Sequence, residues 1–171
     1  MTVDLDSSPP DIEAADKPDT VSETLSVIEP RVGRDDLDSD GKVGIVANPY
    51  QVYRGKATVS RYFLDDRVED YVVSVDQSRR LALRADTYPT TETRRFGDLL
   101  KLPAEVTTDQ CRDMARESIF KWTLRTLSLS SSPDIEVTDP LSVHKLFWII
   151  ERDGKELIVD SVDGTERELK A

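Results

Sequence analysis

The sequence has one cysteine, Cys111, one histidine, His144, and only seven glycines in 171 residues. A single cysteine cannot form an intramolecular disulfide, so nothing points to an oxidising compartment. With so few glycines, the sequence contains no glycine-rich loop of the kind that binds phosphate. The GxSxG, CxxC and HExxH motifs are also missing. These absences exclude the common hydrolase, redox and zinc motifs and favour a protein that is not an enzyme.

Long apolar runs are missing as well. The longest, Leu146–Ile150, is far shorter than the roughly 20 residues that a membrane-spanning helix needs. The first residues, MTVDLDSSPPDIEAAD, show neither the basic start nor the apolar stretch of a secretory signal. We therefore expect a cytoplasmic or virion-associated protein that is neither secreted by a classical signal nor embedded in a membrane.

Negative charge is concentrated near the N-terminus. Residues 1–40 contain twelve acidic and three basic side chains, a net charge of -9, and the whole chain carries -11. This stretch has too few large apolar residues to offset the entropy lost on ordering. We predict a flexible acidic arm over residues 1–42 and a single domain over residues 43–171. Aspartate outnumbers glutamate and arginine outnumbers lysine, which suits a halophile or a GC-rich genome.

Strand and helix patterns follow the arm. Apolar residues recur at every second position within residues 57–85, with a turn expected at Asp65-Asp66, and again within residues 147–169. This pattern predicts two antiparallel meanders. The capping-box pair Thr107 and Gln110 precedes an apolar stripe, which predicts a helix over residues 108–127. The fold class we expect is α+β, with two antiparallel β-meanders packed against one main α-helix and an extended acidic N-terminal arm.

Two connections carry predictions of their own. Residues 86–105 contain two prolines and one glycine, which predicts a long connection with a short helical turn. The segment ERDGKE, residues 151–156, predicts a hairpin with a three-residue loop that places Glu151 opposite Lys155. A two-residue loop would instead place two pairs of like charges opposite each other.

The sharpest motif is DLDSDG, residues 36–41, with aspartates at alternate positions followed by glycine. Carboxylates with this spacing converge on a hard cation, and the glycine permits the sharp turn. Residues 36–47 resemble the calcium loop of EF-hand and dockerin proteins, except that Ala47 stands where the family has a bidentate carboxylate. The resemblance implies a Ca²⁺ site, and a solvated Asp-Gly turn is the alternative. The candidate metal ligands are Asp36, Asp38 and Asp40.

Basic side chains cluster within residues 79–125, which hold a local surplus of three positive charges. Such a stripe can bind phosphates or an acidic protein segment, while arginines paired within the domain are the alternative. A nucleic-acid partner is not expected, because a domain that binds nucleic acid is usually clearly basic. The candidate partner-binding residues are Arg79, Arg80, Arg94, Arg95, Arg112 and Arg116.

The last third of the chain combines the predicted helix with a meander that carries Val159-Asp160 and Asp163-Gly164-Thr165. Over residues 107–169 this arrangement resembles PepSY-type modules, in which a helix precedes a meander ending in a similar turn. The resemblance implies a binding or inhibitory module without catalysis.

The function we expect is that of a non-enzymatic structural or interaction subunit of a larger assembly, such as a virion or another multiprotein particle. The acidic arm would contact neighbouring subunits in a homo- or hetero-oligomer. A calcium-dependent binding module built on residues 36–41 is one alternative. A small enzyme using His144 or Cys111 is the other, although neither has an orienting partner nearby in the sequence. No cofactor other than calcium is expected.

Overall fold

The computed structural model describes residues 20–126 and 132–169. This part of the chain is 55% strand and 15% helical, with nine strands in one mixed sheet. The helix α1 covers Thr108–Thr126, and a short 3-10 turn covers Arg34–Asp36. The strands are β1 (Thr20–Ile28), β2 (Gly44–Arg61), β3 (Leu64–Asp76), β4 (Leu81–Ala85), β5 (Thr91–Lys101), β6 (Asp134–Val137), β7 (Leu141–Arg152), β8 (Lys155–Asp160) and β9 (Glu166–Glu168).

The predicted fold class, two meanders packed against a helix, is wrong, because all nine strands belong to one sheet. The local successions β2-β3-β4 and β7-β8-β9 are present. They merge through β2, which pairs with β3, β5, β6 and β7 along its 18 residues. Pairing between strands that lie far apart in the sequence leaves no local pattern, so period-two alternation could not reveal it.

Four strands close into a ring. β2 pairs antiparallel with β7 and parallel with β5, β5 pairs antiparallel with β1, and β1 meets β7 in parallel at Val27 and His144. Buried apolar side chains from all four strands form one cluster there, which supplies the ring with its hydrophobic core. The members of this cluster are Leu25, Val27, Ala47, Phe96, Leu99 and Leu146.

Two segments that the sequence predicts to be irregular form strands of this ring. Residues 20–28 belong to the predicted extended arm, yet they form β1 and pair with β5. Residues 91–101 belong to the predicted long connection, yet they form β5, with a register irregularity opposite Val21 and Glu23. Residues 1–19 lie outside the described part of the chain, and the division of the chain after residue 42 stays a prediction.

The helix prediction is confirmed over residues 108–126, and its last residue, 127, lies outside the described part of the chain. α1 starts after Thr107, whose hydroxyl accepts a hydrogen bond from the Gln110 N–H while the Gln110 side chain accepts one from the Thr107 N–H. One face of α1 packs on β2 and β3, with Ile119 fully buried above Gly55. Within the described residues, no helix is long and apolar enough to cross a membrane.

The β7–β8 hairpin has a two-residue loop, so the predicted three-residue loop is wrong. Arg152 lies opposite Lys155, and Glu151 lies opposite Glu156. Asp153 and Gly154 both have positive φ, 53° and 77°, as a type I′ turn requires. The repulsion between Arg152 and Lys155 is offset because the Arg152 guanidinium forms a bidentate ion pair with Glu166, at 2.8 and 3.1 Å.

Candidate interaction site

The tip of the β2–β3 hairpin exposes three consecutive large apolar side chains, Tyr62, Phe63 and Leu64, which we call the apolar tip. Their exposed fractions are 76%, 103% and 64%. Other exposed large apolar side chains of the described chain, such as Leu83 and Leu124, reach only 41% and 47%. A contiguous exposed apolar patch on a charged protein is typical of a contact site for another molecule.

The tip is exposed because the β2–β3 hairpin extends beyond α1 and β6, which cover only its base. α1 packs against the base of the hairpin at Tyr53, Ala57 and Tyr71, and β6 pairs with β2 only as far as Thr58. Beyond Val59, which is buried, every residue from 60 to 68 is exposed. Phe63 therefore gains no burial within the described domain, and Tyr62 and Leu64 stay mostly exposed.

Phe63 also holds an unfavourable backbone conformation. Its φ is 59°, in the left-handed region that favours glycine and costs a bulky residue about 1 kcal/mol or more. The same fold uses the favourable Asp153-Gly154 pair for its other two-residue hairpin loop. The Phe63 ring lies 6.4 Å from the ring of its neighbour Tyr62, but neither ring is buried. A strained aromatic side chain therefore gains little within the domain, which indicates that its main contact lies outside it.

Acidic residues dominate the strand that leaves the apolar tip. Residues 61–70 contain four carboxylates and two arginines, for a net charge of -2. One of the arginines, Arg67, is paired with Glu69 at 2.7 Å, and the Arg61 side chain donates to the Asp65 carbonyl oxygen at 2.8 Å. The surroundings of the tip therefore disfavour nucleic acid and anionic lipid, and favour a protein surface with basic residues around an apolar depression.

A groove of about 580 Å³ lies at the other end of the same hairpin. Its floor includes Tyr50 of β2, Ser74 of β3 and Lys145 of β7, and segments 28–31 and 83–90 form its sides. We call this depression the basal groove. Its size falls within the range of sites that bind small molecules or anchoring side chains.

A buried polar network borders the basal groove. The fully buried Asp76 accepts hydrogen bonds from the Asn48 amide, the Tyr50 hydroxyl, the Ser78 and Arg79 backbone N–H groups and the Arg79 guanidinium. Burial by itself would raise the pKa of Asp76, but the hydrogen bonds and charge of Arg79 and the hydrogen bond from Asn48 lower it below its usual value. The charged carboxylate therefore fixes the β3–β4 turn against β2.

Tyr50 contributes a neutral hydroxyl to this network. Burial, and secondarily the charge of Asp76, raise the pKa of Tyr50 to about 12. At neutral pH the phenol thus stays protonated and acts as a hydrogen-bond donor to Asp76, 3.4 Å away. With one group always charged and the other always neutral near pH 7, this pair serves to position the strands.

The three candidate calcium ligands point to different partners. The Asp36 carboxylate accepts from the Gly33 N–H at 2.8 Å, Asp38 lies 3.8 Å from the Arg152 guanidinium, and Asp40 accepts from the Asp153 N–H at 3.0 Å. Among residues 20–126 and 132–169, no group of three or more potential metal ligands is assembled. Calcium binding at this loop stays a prediction.

The six candidate partner-binding arginines lie on three elements, the β3–β4 turn, β5 and α1. Four of them have partners within the domain: Arg79 pairs with Asp76, Arg94 pairs with Glu92, and Arg112 and Arg116 donate to backbone carbonyls of β6. The other two, Arg80 and Arg95, are exposed and form no ion pair with the described residues. The binding of an acidic arm by these side chains stays a prediction.

His144 and Cys111 lie on different sides of the fold. Cys111 is fully buried on the face of α1 that packs on the sheet, and burial raises the pKa of its thiol. His144 is half-buried in the ring, where burial, together with the positive charge of Lys101, lowers the pKa of its imidazole. The structure does not bring the two side chains together into one site.

The apolar tip is the feature that sequence reasoning missed. The period-two pattern placed the turn at Asp65-Asp66, whereas the reversal occurs at Tyr62 and Phe63. Three adjacent apolar residues at a hairpin turn, where glycine or asparagine is usual, are the signal that could have identified it.

Comparison of the chain with protein-family models, with curated proteins and with solved structures finds no match.

Proposed function

We propose that the protein is a non-enzymatic interaction subunit of a larger protein assembly and that the apolar tip anchors it to a neighbouring protein. The observation that carries the proposal is the fully exposed Phe63, held at positive φ at the end of a hairpin that extends beyond its own domain. Aromatic side chains at the centre of an interface commonly supply most of the binding energy. Residues of the acidic arm would add charged contacts at the rim.

Position-specific crosslinking tests this proposal. Replacing Phe63 with p-benzoylphenylalanine in cells that make the protein should give one discrete adduct with a defined protein on irradiation. The same amino acid at Leu124, an exposed apolar position on α1, is the matched control. Equal adduct patterns at the two positions, or no adduct at position 63, would rule out an interaction at the tip.

Replacing Phe63 by glycine should stabilise the isolated protein. We expect a gain of roughly 0.5–1 kcal/mol in the free energy of unfolding, because glycine removes the left-handed strain and no burial is lost. Phe63→Ala is the control, since alanine keeps the strain and should give no such gain. Urea denaturation of both variants provides the measurement, and a loss of stability with glycine would show that Phe63 serves the fold itself.

A further inference from the structure

The apolar tip cannot fill the groove of its own chain. β2 runs from Tyr50, in the floor of the basal groove, to the turn at Tyr62 and Phe63. Twelve residues of extended strand span roughly 40 Å at 3.3 Å per residue. Any contact between a tip and a basal groove therefore joins two molecules.

The basal groove has the composition that an aromatic anchor requires. Ile28, Leu83 and Tyr88 line it together with Pro30 and Pro89. Leu83 is 41% exposed and the other four are half-buried, so these surfaces are accessible. The ring of Tyr88 is held in place by the Arg54 guanidinium, 4.0 Å from its centroid. The walls thus present accessible apolar surface on which an aromatic side chain can pack.

One basic side chain of the basal groove, Arg31, is available to the acids beside the apolar tip. The lining of the basal groove includes Arg31, Arg84 and Lys145 against Glu29 and Asp86, and Lys145 is already paired with Asp160 at 2.7 Å. Arg31 is exposed and forms no ion pair with any residue of the described ranges. The carboxylates that follow the apolar tip, Asp65 and Asp66, are also exposed. A tip entering the groove would bring these acids towards Arg31.

We infer that the basal groove of one copy of this chain receives the apolar tip of a second copy. This inference rests on the proposed function and names its partner. The contact is heterologous, because one copy offers its tip and the other its groove, so repetition yields open chains or rings. Because the tip is small, the interface falls at the low end of known interface areas and a single contact is expected to be weak.

Analytical ultracentrifugation of the full chain from about 10 µM to about 1 mM tests the inference, since contacts of this size have affinities in or near that range. The average mass of the wild type should rise with concentration. Tyr62→Ser combined with Phe63→Asn removes the tip anchors, and asparagine tolerates the left-handed turn. Leu83→Glu places a negative charge in the groove, where it would repel Asp65 and Asp66 beside the incoming tip. Each variant should associate at least about tenfold more weakly, as expected for loss of a central anchor.

Mixing the two variants gives the decisive result. The tip variant keeps an intact groove and the groove variant keeps an intact tip, so the mixture should form one-to-one dimers and nothing longer. Leu124→Glu, which adds the same charge on α1, should associate like the wild type. A wild type that stays monomeric throughout, or a mixture without dimers, overturns the inference. Crosslinking of position 63 to a different protein would then leave the proposed function standing.

Discussion

Replacing Asp76 by asparagine should lower the free energy of unfolding by about 3 kcal/mol, because the side chain accepts five hydrogen bonds in a fully buried position. Asparagine has the same shape but turns one acceptor oxygen into a donor. That donor would face the Arg79 guanidinium and the Asn48 amide, which are donors themselves. Asp70→Asn, at an exposed position of the same strand, should change stability by no more than about 0.5 kcal/mol.

The contribution of Asp76 to the free energy of unfolding should also depend on pH. Because the pKa of Asp76 is lower in the folded protein than in the unfolded chain, its contribution is fully present above the unfolded value of about 4. The contribution is lost as the pH falls through the lower, folded pKa. Wild type and Asp76→Asn should therefore differ most near pH 7, and the difference should shrink as the pH falls below about 4. Urea denaturation at several pH values measures this, and a constant difference would contradict it.

Replacing Ile119 by alanine should cost about 3 kcal/mol of stability, since the side chain is fully buried between α1 and the sheet and its loss leaves a cavity. Leu124→Ala on the same helix removes a similar side chain from a position that is 47% exposed, so its effect should be much smaller. Equal losses from the two variants would mean that α1 does not dock through Ile119.

The close contact between Gly55 and Ile119 allows a sharper version of this experiment. A Cβ on Gly55 would overlap the Ile119 Cδ1 atom, and Ile119→Val removes that atom alone. Gly55→Ala should therefore destabilise the wild type by about 1–3 kcal/mol and the Ile119→Val background by less. The double-mutant cycle should yield a coupling energy of about 1 kcal/mol. A coupling energy near zero would contradict the packing of α1 described above.

Features fixed by neighbouring residues could be predicted from the sequence, and α1 is the clearest of them. Its start depends on Thr107 and Gln110, which lie three residues apart and bond each other. The β7–β8 loop also depends on neighbouring residues. The prediction of a three-residue loop gave more importance to the charges of facing residues than to the backbone preference of the turn residues. The loop has two residues because Asp153 and Gly154 adopt the positive φ values that a two-residue turn needs. The like charges of Arg152 and Lys155 are tolerated because Arg152 is paired with Glu166 of β9.

The ring and the candidate site could not be predicted in the same way. β5 depends on partners in β1 and β2, neither of which borders it in the sequence, and the prolines on either side of β5 together with its glycine favour a loop. The basal groove combines residues from segments 28–31 and 83–90 with Tyr50, Ser74 and Lys145. Only the apolar tip left a local signal, three apolar residues at a turn.

The closed ring also determines when the protein can fold. β1 is the first described strand to leave the ribosome, yet its partners β5 and β7 are synthesised much later. Until β7 has emerged, apolar side chains such as Leu25 and Val27 have no complete core to enter. A topology dominated by such distant pairings folds slowly, in milliseconds to seconds, and passes through states with exposed strand edges. Folding of the ring should therefore wait until β7 has been synthesised, and protection from aggregation matters most until then.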